Sequence, residues 1–191
     1  MPSSIYSNTL TLGEGLGEYL SRFGLGDGGY RDPKFTIPFF WVFALRLPNI
    51  RVRVEAVKIH DLHHVLAEYP TGLLGEAEIG AWEIASGCGK YWPAWILNFG
   101  SFLYGVVRHP SETFHAFVRG RHSDNLYHQA DYKEVLGRSI GEIRQRLHMS
   151  HGIPSSSMSD IVSFACWSVV SFVTLALPFL AVIYFTAIIL H

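Results

Sequence analysis

Apolar residues recur at helical spacing along most of the chain, and only the stretch from about residue 24 to 50 breaks that rhythm. Over residues 8–23, Leu10, Leu12, Leu16, Tyr19, Leu20 and Phe23 predict a helix, weakened by three glycines. A loop carrying Gly24, Gly26, Gly28 and Gly29 follows. No β-branched strand precedes it and no lysine-serine pair closes it, so it reads as a connector, not a phosphate-binding turn. Residues 35–47 (FTIPFFWVFALRL) form an aromatic run broken by Pro38 and closed by Pro48. It is too short to cross a hydrocarbon layer of about 30 Å and is expected in the core or at a membrane interface.

From residue 50 to 67 the chain has no glycine or proline, and Val52, Val57, Leu62 and Leu66 predict a helix stopped by Tyr69-Pro70-Thr71-Gly72. A second helix is expected over 74–86, ending at Gly87 and packed antiparallel on the first because the turn is short. The apolar stretch 94–107 ends at Arg108-His109-Pro110, and a basic segment with Arg119, Arg121 and His122 follows. Val135, Leu136, Ile140, Ile143 and Leu147 line one face of an amphipathic helix expected over 132–148. Ile153, Pro154 and three serines make a linker. Residues 161–190 carry no charge, and a helix of that length measures about 45 Å. Pro178 lies inside it as a kink or the turn of a re-entrant hairpin. The expected class is therefore all-α: a compact helical domain over 1–152, a linker over 153–160, and a single-pass C-terminal transmembrane anchor over 161–190.

Composition agrees with lipid contact. The chain is 49% hydrophobic and only 16% charged, against roughly 25% charged in an average soluble domain. A net charge of −1 excludes nucleic acid as a partner. Cys88 and Cys166 form no CxxC pair, and one lies within the apolar tail, which argues against a structural disulfide. The first eleven residues lack the basic and apolar regions of a secretory signal. Arg138, Arg144 and Arg146 precede the span and no Lys or Arg follows it, so the body is expected on the cytoplasmic or mitochondrial matrix side.

The chemistry concentrates in HDLHH. On a helix His60 and His64 are i,i+4 and Asp61 and His64 are i,i+3, so these three polar heads are expected on one face. Glu76, at the start of the next helix, is placed to complete a metal site of His60, Asp61, His64 and Glu76. Such an N/O set suits zinc, and also iron or manganese. His63 is expected on another face in a supporting role. Glu83, seven residues after Glu76, can share its face, whereas Glu78 does not. Arg108, Arg119 and Arg121 read as a solvated basic face rather than as a substrate contact.

His-Asp, two residues, His, eleven residues, Glu, with the Gly75-Glu76 dipeptide, resembles the signature of the coenzyme Q biosynthesis protein 4 family over residues 50–86. Two positions depart from that family: His63 stands where members usually carry an aromatic residue, and Ala67-Glu68 where a glycine usually follows the second histidine. The hydrophobic tail is a third departure. The resemblance implies membrane-bound ubiquinone biosynthesis. Its partners would be membrane lipid, a polyprenylated quinone precursor, other coenzyme Q biosynthesis proteins and a second copy of the chain. The implied activity is oxidative decarboxylation at ring carbon 1 of a polyprenyl hydroxybenzoate-type precursor, or a scaffolding role for other enzymes. The residues themselves leave open a membrane histidine-box hydroxylase or desaturase, since HDLHH contains HxxHH and His148 and His151 offer part of a second box. They equally leave open a non-catalytic lipid-binding scaffold. An HD-type phosphohydrolase fails, because no histidine precedes His60.

Overall fold

The computed structural model describes residues 4–39, 43–128, 131–149, 152 and 154–190. Helix α1 (Leu12–Arg22) opens with a reciprocal cap: Thr11 accepts from the Glu14 N–H, and the Glu14 carboxylate accepts from the Thr11 N–H. Its buried residues Leu12, Leu16 and Tyr19 pack on α2 (Arg51–Ala67). Between the two, the aromatic run is not part of a helix. It pairs as an antiparallel hairpin, β1 (Lys34–Phe39) with β2 (Phe43–Pro48), Lys34 opposite Pro48 and Phe39 opposite Phe43. Aromatic and β-branched residues favour the extended chain, and Pro38 is tolerated because both strands of a two-stranded sheet are edges. The tip at 40–42 lies outside the described residues.

Helix α2 ends where Glu68 turns into the left-handed region at φ 62°, a position that favours glycine. The non-glycine residue is held there by its side chain. Its carboxylate pairs with Arg144 at 2.7 Å and accepts from the Ile5 N–H at 2.9 Å. Arg144, buried, also donates to the Val65 and Leu66 carbonyls, which α2 leaves without helical partners. The departure at Ala67-Glu68 is thus matched by a buried guanidinium from late in the chain.

Helix α3 (Leu73–Ser86) follows the expected turn and lies between α4 (Trp92–Arg108) and α5 (Pro110–Arg121). Close approach on both sides depends on small residues. A Cβ on Gly80 would strike Ser101 Oγ of α4, and one on Gly120 would strike the Trp82 carbonyl. Trp82, Phe102 and Phe117 are fully buried there, each contributing about 1.5–3 kcal/mol of hydrophobic stabilisation. Because α3 is covered on most of its circumference, any polar group it carries inward must find partners inside the protein.

The single helix expected over 132–148 is instead two, α6 (Tyr132–Leu136) and α7 (Ile140–Arg146). Gly137 closes the first, and Ser139 caps the second by accepting from the Glu142 N–H at 3.2 Å. The intervening backbone bonds to the chain before α1, with Leu12 N–H donating to the Arg138 carbonyl and Ile140 N–H to the Leu10 carbonyl, both at 2.8 Å. The predicted apolar face survives the break: Val135, Ile140, Ile143 and Leu147 are buried.

Helix α8 (Met158–Leu190) is continuous through Pro178, so it is not a re-entrant hairpin. It begins three residues before the expected 161, because Ser157 and Asp160 cap its start. Ile153 of the linker lies outside the described residues. The segment Met158–Pro178 is long and apolar enough to cross a membrane, and only 6% of that window is buried inside the protein. Its first turns rest on the body: Arg121 pairs with Asp160 at 2.6 Å, Trp167 stacks on Trp95, and Phe164 meets Phe102, Phe114 and Phe117 edge-on. The class is all-α, with a small hairpin and one helix able to span a bilayer.

Candidate metal centre

His60, His64 and Glu76 bring one ligand atom each within 4.8 Å of one another. The side chains meet in antiparallel order, Glu76 from the first turn of α3 reaching the last turns of α2. His64 Nε2 lies 3.2 Å from His60 Nε2, and the two oxygens of Glu76 lie 3.4 Å from one Nε2 each. A tetrahedral ion with bonds of about 2.0–2.1 Å separates its ligand atoms by about 3.3 Å; the Nε2–Nε2 spacing matches such an edge, and each Nε2 reaches a different Glu76 oxygen at a similar distance.

Proton positions point the same way. His64 Nδ1 lies 2.9 Å from the Tyr69 carbonyl, which only accepts, so Nδ1 carries a hydrogen and Nε2 is the nitrogen that faces Glu76. His60 Nδ1 lies 3.0 Å from the Glu83 carboxylate and is fixed in the same sense. Two ring nitrogens and a carboxylate then face one point, an arrangement that a cation or a proton between them satisfies. In the proton-bound state, burial opposes charge on His60, but the charge of Glu83 and hydrogen bonds to Glu76 and Glu83 outweigh it. Its pKa is raised well above the ordinary histidine value. Burial works against the Glu76 carboxylate as well, yet its bonds to His60 and His64 hold its pKa well below the usual range. The donor set therefore fits a divalent metal, each histidine being oriented by an oxygen acceptor behind it.

Glu83 is that acceptor for His60 and the residue the sequence reading left out of the site. It is fully buried and accepts from His60 Nδ1, His63 Nδ1 at 2.6 Å, Asn98 Nδ2 at 2.5 Å and the Tyr127 hydroxyl at 3.1 Å. Burial raises its pKa, but the charge and hydrogen bonding of His60 and His63 dominate and hold it far below the carboxylate range. His63 Nε2 accepts from the Leu126 N–H at 3.0 Å, which leaves the proton on Nδ1 for Glu83.

Asp61 stands apart from the three-residue cluster. One residue on from His60 it is rotated about 100° round the helix, and its Oδ2 accepts from the hydroxyl of Tyr30, at the end of the Gly-rich loop. It nonetheless shares a cavity of about 700 Å³ with His60, His64 and Glu76, together with Tyr19 and Arg53. Burial raises the Asp61 pKa. Tyr19 stacks on the His64 ring at 5.3 Å and closes one side. Glu78 lies outside the cluster, as expected. His148 pairs with Asp124 at an exposed position, and His151 lies outside the described residues. No family model, curated protein or solved structure matches the chain.

Proposed function

We propose that the protein is a membrane-anchored, metal-dependent protein that takes an amphiphilic substrate, and that this substrate is a polyprenylated quinone precursor of the hydroxybenzoate type. The observation that carries the metal reading is the convergence of His60 Nε2, His64 Nε2 and the Glu76 carboxylate. Three protein ligands beside an open cavity are the pattern of a catalytic rather than a closed structural site, which favours an enzyme over a scaffold. The all-N/O donor set suits zinc, and also iron or manganese. Asp61 belongs to the site as a cavity carboxylate rather than a ligand. The resemblance of His60-Asp61, His64 and Glu76 to that family's motif supports the finer reading, ubiquinone biosynthesis with other enzymes of that synthesis as partners, and Arg138, Arg144 and Arg146 ahead of the uncharged segment support a body facing the cytoplasm or matrix.

A bound metal supplies Lewis acidity toward a substrate carboxylate or phenol. The chain's own residues do the rest. His60 and His64 are held in the ligating tautomer by Glu83 and the Tyr69 carbonyl, and Tyr19 covers the His64 ring. Asp61, with Tyr30 donating to it, places a carboxylate in the same cavity, where it can hold a substrate hydroxyl proton. Exchange of a ring carboxyl for hydroxyl removes two electrons: with water supplying the hydroxyl oxygen and dioxygen as the electron acceptor, ArCO2H + H2O + O2 gives ArOH + CO2 + H2O2, and a redox-inactive ion such as zinc would act only as a Lewis acid. The histidine-box hydroxylase is disfavoured: His63 is sealed between Glu83 and the Leu126 N–H.

Elemental analysis of the wild type beside His60→Ala and Glu76→Ala, with mass spectrometry of co-purified lipid, tests this reading. About one metal per chain, lost in both variants, with a bound polyprenyl precursor, is the expected result. Absence of metal and prenyl lipid from the wild type overturns it.

A further inference from the structure

We infer that Arg53 is an anion anchor between the metal cavity and an apolar groove, so that the protein selects amphiphiles carrying a negative group at the head of a hydrocarbon chain. This rests on reading the metal cavity as a substrate site. A second depression of about 260 Å³ is walled by Phe35 and Leu47 of the hairpin and by Trp92 and Ile96 of α4. Arg53 and Leu97 line both this groove and the metal cavity, so the two are neighbours across a shared wall. Trp92 is 57% exposed and Ile96 42%. A groove so apolar takes hydrocarbon, and hydrocarbon is what a chain with a membrane-spanning helix has beside it.

Arg53 is the polar group at the junction. It lies seven residues before His60 and on the same face of α2. Its guanidinium stacks on Phe35 at 3.7 Å and spends one N–H on the Asn49 side chain at 2.7 Å. Its Nε–H is buried and has no hydrogen-bond partner, and the Asp61 carboxylate acts on Arg53 through its charge without forming an ion pair among the described residues. A buried guanidinium donor without an acceptor is costly and is satisfied by a carboxylate or phosphate, which it binds through paired N–H groups. Phe35 fixes the plane of the guanidinium and so the direction from which the anion is met. An acidic head at Arg53 leaves the chain running outward past Trp92 and Ile96.

The test uses the full-length protein in phosphatidylcholine nanodiscs, titrated calorimetrically with decanoate and with decanol against empty discs, metal content being measured on each sample. Wild type is expected to bind decanoate about tenfold more tightly than decanol. Arg53→Met should remove that preference while keeping its metal, Arg53→Lys should keep part of it, and Ile96→Asp should weaken both ligands alike. A preference unchanged in metal-replete Arg53→Met overturns the anchor and leaves the metal reading intact. A wild type without metal that still discriminates through Arg53 supports the anchor and overturns the metal reading instead.

Discussion

Glu83→Gln perturbs the centre through a residue that touches no metal. The native carboxylate faces four donors, His60 and His63 on one oxygen and Asn98 and Tyr127 on the other. Glutamine has nearly the same size, but one of its two heads only donates. Either way round, an NH2 group meets two donors in a buried site, at a cost of about 1–3 kcal/mol per unsatisfied group. Turned toward α2, the amide pushes the His60 proton from Nδ1 to Nε2, the atom that must ligate. His63 cannot follow, because its Nε2 accepts from the Leu126 N–H. Loss of such a supporting carboxylate weakens metal binding by about 10- to 100-fold, equivalent to about 1.4–2.7 kcal/mol. Competition against a chromophoric chelator at constant pH measures it, with Glu78→Gln as a control in which no change is expected. Unchanged affinity in Glu83→Gln refutes the claim that Glu83 sets the ligating tautomer.

Metal affinity should also depend on pH. Because the raised His60 pKa means that a metal displaces a proton, apparent affinity should rise about tenfold per pH unit while His60 is protonated and level off above its pKa; a flat titration refutes this. Gly75→Ala places a Cβ on the Pro70 carbonyl oxygen and shifts the turn whose Tyr69 carbonyl holds His64. Unfolding stability should drop by about 1–3 kcal/mol and metal binding should weaken with it, and wild-type values for both contradict the packing argument. Phe164→Ala removes the ring that meets Phe102, Phe114 and Phe117. It should speed proteolysis at residues 154–157 by loosening the start of α8, and unchanged cleavage sinks that contact.

The meeting of His60, His64 and Glu76, three of the four expected residues, was legible because it is local. The i,i+4 spacing of His60 and His64 and a short stop at residues 69–72 leave Glu76 little choice but to meet them. The uncharged run that forms α8 was equally plain. Glu83 was harder: the heptad spacing puts it on the face of Glu76, but its part as a buried acceptor depends on His63, Asn98 and Tyr127, which reach it from other elements. Asp61 drew its partner from Tyr30, a contact that no periodicity encodes. The hairpin escaped because a nearly continuous apolar run hides strand alternation, and Pro38 argued against a strand that an edge position in fact permits. The break at 137–139 depends on backbone pairing with residues 10–12, over a hundred positions away. Local pattern gave α6 and α7 their shared face but not their separation.

The most direct test of the central claim is anomalous diffraction from crystals of the purified protein, recorded on either side of the absorption edge of the metal it carries. The account predicts one peak at about 2.0–2.2 Å from His60 Nε2, His64 Nε2 and a Glu76 oxygen, with Glu83 hydrogen-bonded behind His60. No peak there, or a peak at other residues, contradicts it.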